Sequence, residues 1–255
     1  METKTNPLIV PLAIVVAGGL IAGAIYFGGK YPANTQANAP QGQTASIQIA
    51  PITSADNIIG NSNAKIVIVT YSDYECPFCK TFHNTMVQII NTYKPDDVAW
   101  IYRQFPIAQL HPKALKESEA ALCANDLGGN KSFWDFSNRI FEITPSNNQL
   151  DPSELPNIAK FIGLDTSSFN TCLSSGKFTN AVQSDVAAAT KAGALGTPYS
   201  VIIMKKALTA SQTNAINDLS ISTRQGITIG GDNKVIVNGA QAINDVESAI
   251  NALIK

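Results

Sequence analysis

The run Cys76-Pro77-Phe78-Cys79 follows the apolar β-like stretch Ile66-Val67-Ile68-Val69-Thr70-Tyr71 and opens a helical pattern. A CxxC pair at a strand-to-helix junction points to thiol–disulfide redox chemistry in an α/β fold. Two cysteines at i and i+3 share one face of the first helical turn, so their sulfurs can join with little backbone movement. Pro77 suits the first helical position, where its missing N–H would be unpaired anyway. Cys76 then sits at the positive end of the helix, with free backbone N–H groups directed at its sulfur. Such a setting lowers a cysteine pKa from about 8.5 to roughly 3.5–7.5, which supplies a thiolate at neutral pH without a separate base.

The 255 residues carry a net charge of −1 and are 45% hydrophobic. That balance suits one globular body with a sizeable core and gives no reason to expect a nucleic-acid partner. One CxxC is half of a zinc site, and Cys123 and Cys172 are far from it in sequence, so neither a metal nor another cofactor is expected. His83 is read as a solvated residue on the outer part of the active-site helix, and His111 as a capping or packing residue. Trp134 and Phe136 are read as core.

Residues 8–29 contain no charged side chain. About 20 apolar residues at 1.5 Å each span a bilayer core of roughly 30 Å. The length favours an uncleaved signal-anchor within residues 1–30 over a cleaved leader, although Ala37-Asn38-Ala39 offers a small-x-small pattern for cleavage. Residues 31–50 are uncharged from Tyr31 onward and rich in Asn, Gln, Ala, Pro and Ser, which predicts a flexible linker. The expected arrangement is a single-pass cell-membrane protein with its redox body outside the cytoplasm, periplasmic or at the cell surface.

The body is predicted over residues 51–255. A strand over 64–71 is followed by a helix over 77–93 that places Phe78, Phe82, Met86, Ile89, Ile90 and Tyr93 on one face. A strand over 98–105 completes a strand–helix–strand unit, which implies a parallel pair with a right-handed crossover. Helices are predicted over 112–126, 131–143, 153–162 and 178–192, with a short turn over 167–173. Gly196-Thr197-Pro198 then leads into an apolar strand that reaches Met204, as a proline at a strand's first residue allows. A strand over 235–237 and a helix over 243–253 close the pattern.

With these pieces in order the chain resembles a DsbA-like thiol-disulfide oxidoreductase of the thioredoxin superfamily. The resemblance rests on Tyr71-Ser72-Asp73-Tyr74-Glu75-Cys76-Pro77-Phe78-Cys79, Arg103-Gln104-Phe105-Pro106-Ile107 and His111-Pro112-Lys113-Ala114. Leu122-Cys123-Ala124, Phe133-Trp134-Asp135-Phe136, Gly196-Thr197-Pro198 and Val237-Asn238-Gly239-Ala240 extend it. It implies a thioredoxin-like α/β fold with a helical insertion at about 111–192. It implies catalysis by Cys76 and Cys79, a cis Pro198 beside Cys76, and a Thr197 backbone able to pair with an extended substrate peptide. Pro77, Phe78, Asp73 and Glu75 would support the site. Asp73 either orients the loop or moves protons, and Glu75 opposes the neighbouring thiolate slightly. The resemblance also implies a structural disulfide between Cys123 and Cys172, with two buried thiols or a regulatory redox pair as the other readings.

The function implied is oxidation of dithiols in exported proteins, with reoxidation by a quinone-linked membrane partner. Two alternatives stand beside it: a reductase or isomerase using the same site, and a non-enzymatic peptide-binding module. The chain departs from the family pattern in three places. Thr70 stands where many relatives carry an acid, six residues before the first cysteine. Phe78 stands where the strongest oxidants carry histidine. Residues 205–233 replace a short turn with a long segment that hints at a helix near Leu208–Leu219 and a strand at Ile227-Thr228-Ile229.

Overall fold

The computed structural model describes residues 46–255. The apolar segment 8–29 and the linker up to residue 45 lie outside the described residues. Among those described, no helix is long and apolar enough to cross a membrane.

Six strands form one sheet: β1 (Asn57–Ile59), β2 (Ile66–Ser72), β3 (Val98–Gln104), β4 (Tyr199–Met204), β5 (Ile227–Gly231) and β6 (Lys234–Asn238), in the order β1-β3-β2-β4-β6-β5. β2 and β3 run parallel, and Tyr71 lies opposite Arg103. β4 runs antiparallel to β2, with Tyr71 opposite Tyr199. All seven residues of β2 are buried, because the sheet is covered on both faces. Ile66 and Ile68 face one core with Phe82, Met86 and Ile250. Val67, Val69 and Tyr71 face the other with Ala99, Ile101 and Ala189. A strand covered this way needs apolar residues at every position, which is the unbroken run seen in the sequence.

Helix α1 (Pro77–Thr92) connects β2 to β3. Its buried face is Cys79, Phe82, His83, Met86 and Ile89. This corrects the predicted face at its first turn, where Phe78 is 65% exposed and Cys79 points inward instead. The insertion holds α2 (Ala114–Ile143), α3 (Glu154–Phe161), α4 (Thr166–Ser175) and α5 (Thr179–Lys191). Gly129 breaks α2 with a φ of 73° and ψ of −172°, a conformation glycine tolerates best. The two helices predicted there thus meet at a kink. The turn expected over 167–173 is a helix instead, capped by Asp165, whose side chain accepts the Ser168 N–H, and ended by Gly176 in the left-handed conformation.

The long segment after β4 is ordered. It forms α6 (Ala210–Ser222), opened by a capping box between Thr209 and Gln212, and then β5 at the sheet edge. Helix α7 (Ile243–Ile254) follows β6. The predicted linker is shorter than expected at its far end: the Ile47 N–H donates to Gly230 O at 2.8 Å, and Ile47 and Ile49 pack on the core. Residues 46–50 therefore cover an edge that would otherwise be open to pairing.

Cys123 on α2 and Cys172 on α4 form a disulfide closing 49 residues. A loop of that size is worth about 4 kcal/mol in the chain-entropy account. The double variant Cys123→Ser/Cys172→Ser should be less stable by up to that amount in chemical denaturation, with the sheet and α1 still folding. An unchanged midpoint would show that the bridge carries no stability.

Candidate active site

Cys76 is the N-cap of α1, and Pro77 takes the helix's first position. Both cysteines are free thiols and both are buried. Cys76 Sγ lies 3.5 Å from Thr197 O, to which it donates while it is still a thiol. Thr197-Pro198, a cis peptide, enters β4 at this point and brings its backbone against the sulfur. The predicted neighbours Cys76, Cys79, Thr197 and Pro198 thus converge where β2, α1 and β4 meet.

The two sulfurs differ in environment. The hydrogen bond from the Cys79 thiol holds the Cys76 pKa down to about 6 against the effect of its own burial, and the Thr197 side chain and the N–H groups of Cys79 and Phe78 act in the same direction. Burial pushes the Cys79 thiol well up, and a thiolate on Cys76 pushes it further. Beside Cys79 lie the Ser72 hydroxyl and the Asp73 N–H, the latter 3.4 Å from its sulfur. One proton therefore rests on Cys79 while Cys76 carries the charge. Phe78 adds exposed apolar surface, and Lys80 reaches away to Thr144 O at 2.7 Å.

Asp73 and Glu75 do not face solvent as loop carboxylates usually do; both are fully buried. Asp73 orients the loop. Its Oδ1 accepts the Glu75 N–H, and its Oδ2 accepts the Ile107 N–H at 2.8 Å and His111 Nδ1 at 2.9 Å. A carboxylate only accepts, so this pairing assigns the Nδ1 proton to His111. Glu75 turns away from Cys76. Its main-chain carbonyl accepts the Asn147 N–H at 2.8 Å, and its Oε2 accepts the Asn148 N–H. Ser146, Asn147 and Asn148 all have positive φ, between 53° and 65°. Three such residues in a row cost energy, which the contacts to Glu75 offset.

Glu75 faces Glu117 of α2. Burial first, and then the neighbouring Glu75 and Asp73, raise the Glu117 pKa to about 9, with Lys113 opposing. Glu117 is therefore a neutral acid at neutral pH. Sequence reasoning missed it, yet a signal existed: Glu117 shares a helical face with the small residues Ala114, Ser118 and Ala121, all of them buried.

His83 corrects its sequence reading. It is buried among Trp100, Tyr102 and Phe141, with Nε2 2.8 Å from Asn138 Oδ1, and desolvation lowers its pKa to about 4. The helical insertion covers the face that a lone helix would have left wet. Thr70 is also committed elsewhere. Its Oγ1 lies 2.9 Å from Ser200 Oγ and accepts Trp100 Nε1–H at 3.1 Å.

The thioredoxin family model matches residues 53–219. The chain belongs to the thioredoxin family. Among solved structures, this thioredoxin-family chain is similar to the thiol-disulfide exchange protein alpha-DsbA2 of Wolbachia pipientis. The TM-score is 0.58 at 23% identity, over 78% of this chain and 88% of that one. It is similar also to DsbA2 of Pseudomonas aeruginosa, with a TM-score of 0.60 at 23% identity, over 80% of this chain and 97% of that one. The fold is that of the DsbA-type oxidoreductases. A sequence likeness to the Na(+)/H(+) antiporter NhaA 3 of Salinispora tropica runs over 143 residues at 27% identity, or 56% of this chain. The chain spans about a fifth of the length of the curated relatives it matches, so that likeness concerns one segment of larger proteins.

Two measurements follow from the titrating groups. Alkylation of the reduced protein should rise with pH around a midpoint of about 6 and label Cys76, with Cys79 protected; equal labelling of both would contradict the asymmetry. Glu117 has a folded pKa above its unfolded value of about 4.3. Its support for the fold is complete below that value and is lost as pH rises towards about 9. Glu117→Gln, which mimics the protonated acid, should match the parent protein in melting temperature near about pH 4 and exceed it near about pH 8. A constant difference across that range would show that Glu117 is ionised in the fold.

Proposed function

We propose that this protein is an extracytoplasmic dithiol oxidase, held to the membrane through residues 8–29, that uses Cys76 and Cys79 to introduce disulfides into exported proteins. The observation that carries the reading is the opposite perturbation of two adjacent thiols, Cys76 down to about 6 and Cys79 upward. A stabilised thiolate is a good leaving group, so a mixed disulfide on Cys76 resolves readily in favour of the substrate's own disulfide.

In the proposed cycle a substrate thiolate attacks Cys76 Sγ of the Cys76–Cys79 disulfide. The new S–S bond forms as the old one breaks, and the electron pair passes to Cys79 Sγ, which takes up a proton. A second substrate thiolate then attacks the substrate sulfur of the mixed disulfide, and Cys76 departs as thiolate. The substrate loses two electrons and the cysteine pair gains them. A quinone-linked membrane partner would remove them again. The Thr197 carbonyl and the backbone around Pro198 offer an edge on which an extended substrate segment can pair.

One observation favours the reverse direction. Among the described residues, none of the leading effects on Cys76 comes from a cationic side chain: Phe78 is neutral, and the Lys80 ammonium is bound to main-chain carbonyls of the insertion. The leading stabilisation of the thiolate comes from hydrogen bonds, which suits a milder potential and therefore a reductase or isomerase. Equilibration with glutathione, followed by thiol trapping, separates the two. A potential more oxidising than the glutathione pool is expected. A potential well below it would assign the site to reduction, since about 30 mV already corresponds to about 1.4 kcal/mol. Cys76→Ser should abolish exchange with a model dithiol; biological activity left intact in that variant would instead favour a non-enzymatic peptide-binding module.

A further inference from the structure

Residues 205–233 are the part of the chain that the proposed redox cycle leaves unused. They begin with Lys205 and Lys206 and go on to α6 and the edge strand β5. The sheet fixes where they lie. β4 runs antiparallel to β2, with Tyr199 opposite Tyr71 and Met204 opposite Ile66. Cys76 follows β2 and Pro198 precedes β4 at one end of this pair. Lys65 precedes β2, and Lys205 and Lys206 follow β4, at the other. At about 3.3 Å per residue, the seven residues of β2 separate the two ends by roughly 20 Å.

The lysine end is also where the first described residues join the body. Ser46 Oγ lies 3.4 Å from Lys234 Nζ, and the next residue, Ile47, pairs with Gly230 of β5. Glycine makes room for this approach: a Cβ on Gly231 would collide with Ser46, and one on Gly230 would crowd Ile47. The turn after β5 is tied to the end of β4, since the Met204 N–H donates to Asn233 O at 3.0 Å and the Leu208 N–H to Asp232 O at 2.6 Å. Beside Met204 opens a cavity of about 350 Å³, lined by the buried Met204 and Leu253 and by the exposed Lys65, Lys205, Lys206 and Lys255. Gln212 Nε2 donates to Leu253 O at 3.0 Å, which fastens the start of α6 to the end of α7 and holds the cavity's walls together. No acidic side chain lines it. The acids nearby are Asp96, bound to Asn61, Asp97, paired with Lys65 at 2.7 Å, and Asp232 on the turn. Lys205 is held by Asn63 O, and Lys206 and Lys255 have no acidic side-chain partner among the described residues.

We propose that this end of the body, built from residues 205–233 and the close of α7, is a docking surface for an anionic phospholipid bilayer. The inference rests on the membrane anchor proposed above and gives the added segment a role. A chain anchored through residues 8–29 leads to its body at Ser46, so the lysines nearest Ser46 are the first to meet lipid headgroups. Ammonium groups pair with lipid phosphate, and the negative potential of an anionic leaflet draws a basic cluster in over about a Debye length. Met204 and Leu253 beneath the lysines give the surface an apolar layer under a charged one, which matches the boundary between headgroups and acyl chains. In the docked body Cys76 and Thr197 point away from the lipid, open to exported chains. A membrane partner reaches Cys76 only when the body lifts off, so docking and reoxidation alternate.

The test is lysine acetylation, read by mass spectrometry, of the full chain in vesicles of phosphatidylcholine alone or mixed with phosphatidylglycerol. In the anionic vesicles Lys205, Lys206 and Lys255 should react at least about threefold more slowly than in the neutral ones. Lys131 of α2, on the exposed face of the insertion, should react equally in both. Salt at about 0.5 M should remove the protection. Lys205→Glu/Lys206→Glu should lose the protection of Lys255 yet exchange with dithiothreitol at the parent rate, which shows an intact fold. Equal reactivity in both kinds of vesicle would overturn the proposal. Protection in neutral vesicles accompanied by cross-linked dimers would overturn it too, by assigning the face to a second copy of the chain. A chain that does not float with neutral vesicles would strike the anchor reading; binding to anionic vesicles that the double variant abolishes would then still establish the surface, and binding to neither would remove both.

Discussion

The arrangement of this protein depends on one proton placed unequally between two sulfurs. Cys76 and Cys79 lie one helical turn apart, but one sits at the mouth of α1 and the other beneath it. The thiol of Cys79 donates towards Cys76 and cannot itself ionise cheaply, because the sheet and the insertion exclude water from it. The helix start contributes backbone N–H groups, and the Thr197 segment closes the remaining side. Chemistry of the DsbA type needs such a difference, since a pair of equivalent thiols would leave neither as a preferred target or leaving group.

The helical insertion holds this difference in place. The loop between β2 and α1 has its two carboxylates turned inward, and each is fastened to a different part of the surrounding chain. Asp73 fixes the segment of Ile107 and His111, and Glu75 fixes the strained turn of Asn147 and Asn148. A buried carboxylate left without donors would cost several kcal/mol, so the insertion and the active-site loop each hold the other in register. The Cys123–Cys172 bridge ties α2 to α4 within that same insertion. Glu117 of α2 lies near Glu75 across the seam between the two, and burial together with this neighbour raises its pKa.

Much of the fold was legible in the chain. The unbroken apolar run of β2 announced a strand covered on both sides, and Pro77 and Pro198 marked where α1 and β4 begin. The helices of the insertion stood out by period, apart from α4, whose Ser- and Thr-rich surface hid its apolar side around Phe169. His83 was misjudged because the residues that bury it, Trp100, Tyr102 and Phe141, come from elements distant in sequence. Residues 46–50 read as linker by composition, yet Ile47 and Ile49 supply alternate apolar contacts that an exposed strand edge can use.

The sequence by itself determined the reactive pair, the proline at the head of each flanking element and the α/β order, because these follow from local geometry and from periodicity within a single segment. Tertiary structure alone decided how acidic each thiol is, which carboxyl groups are buried and which of them keeps its proton. Those properties depend on desolvation and on partners brought from the insertion and from β3, and no local pattern records how far a side chain will end up from water.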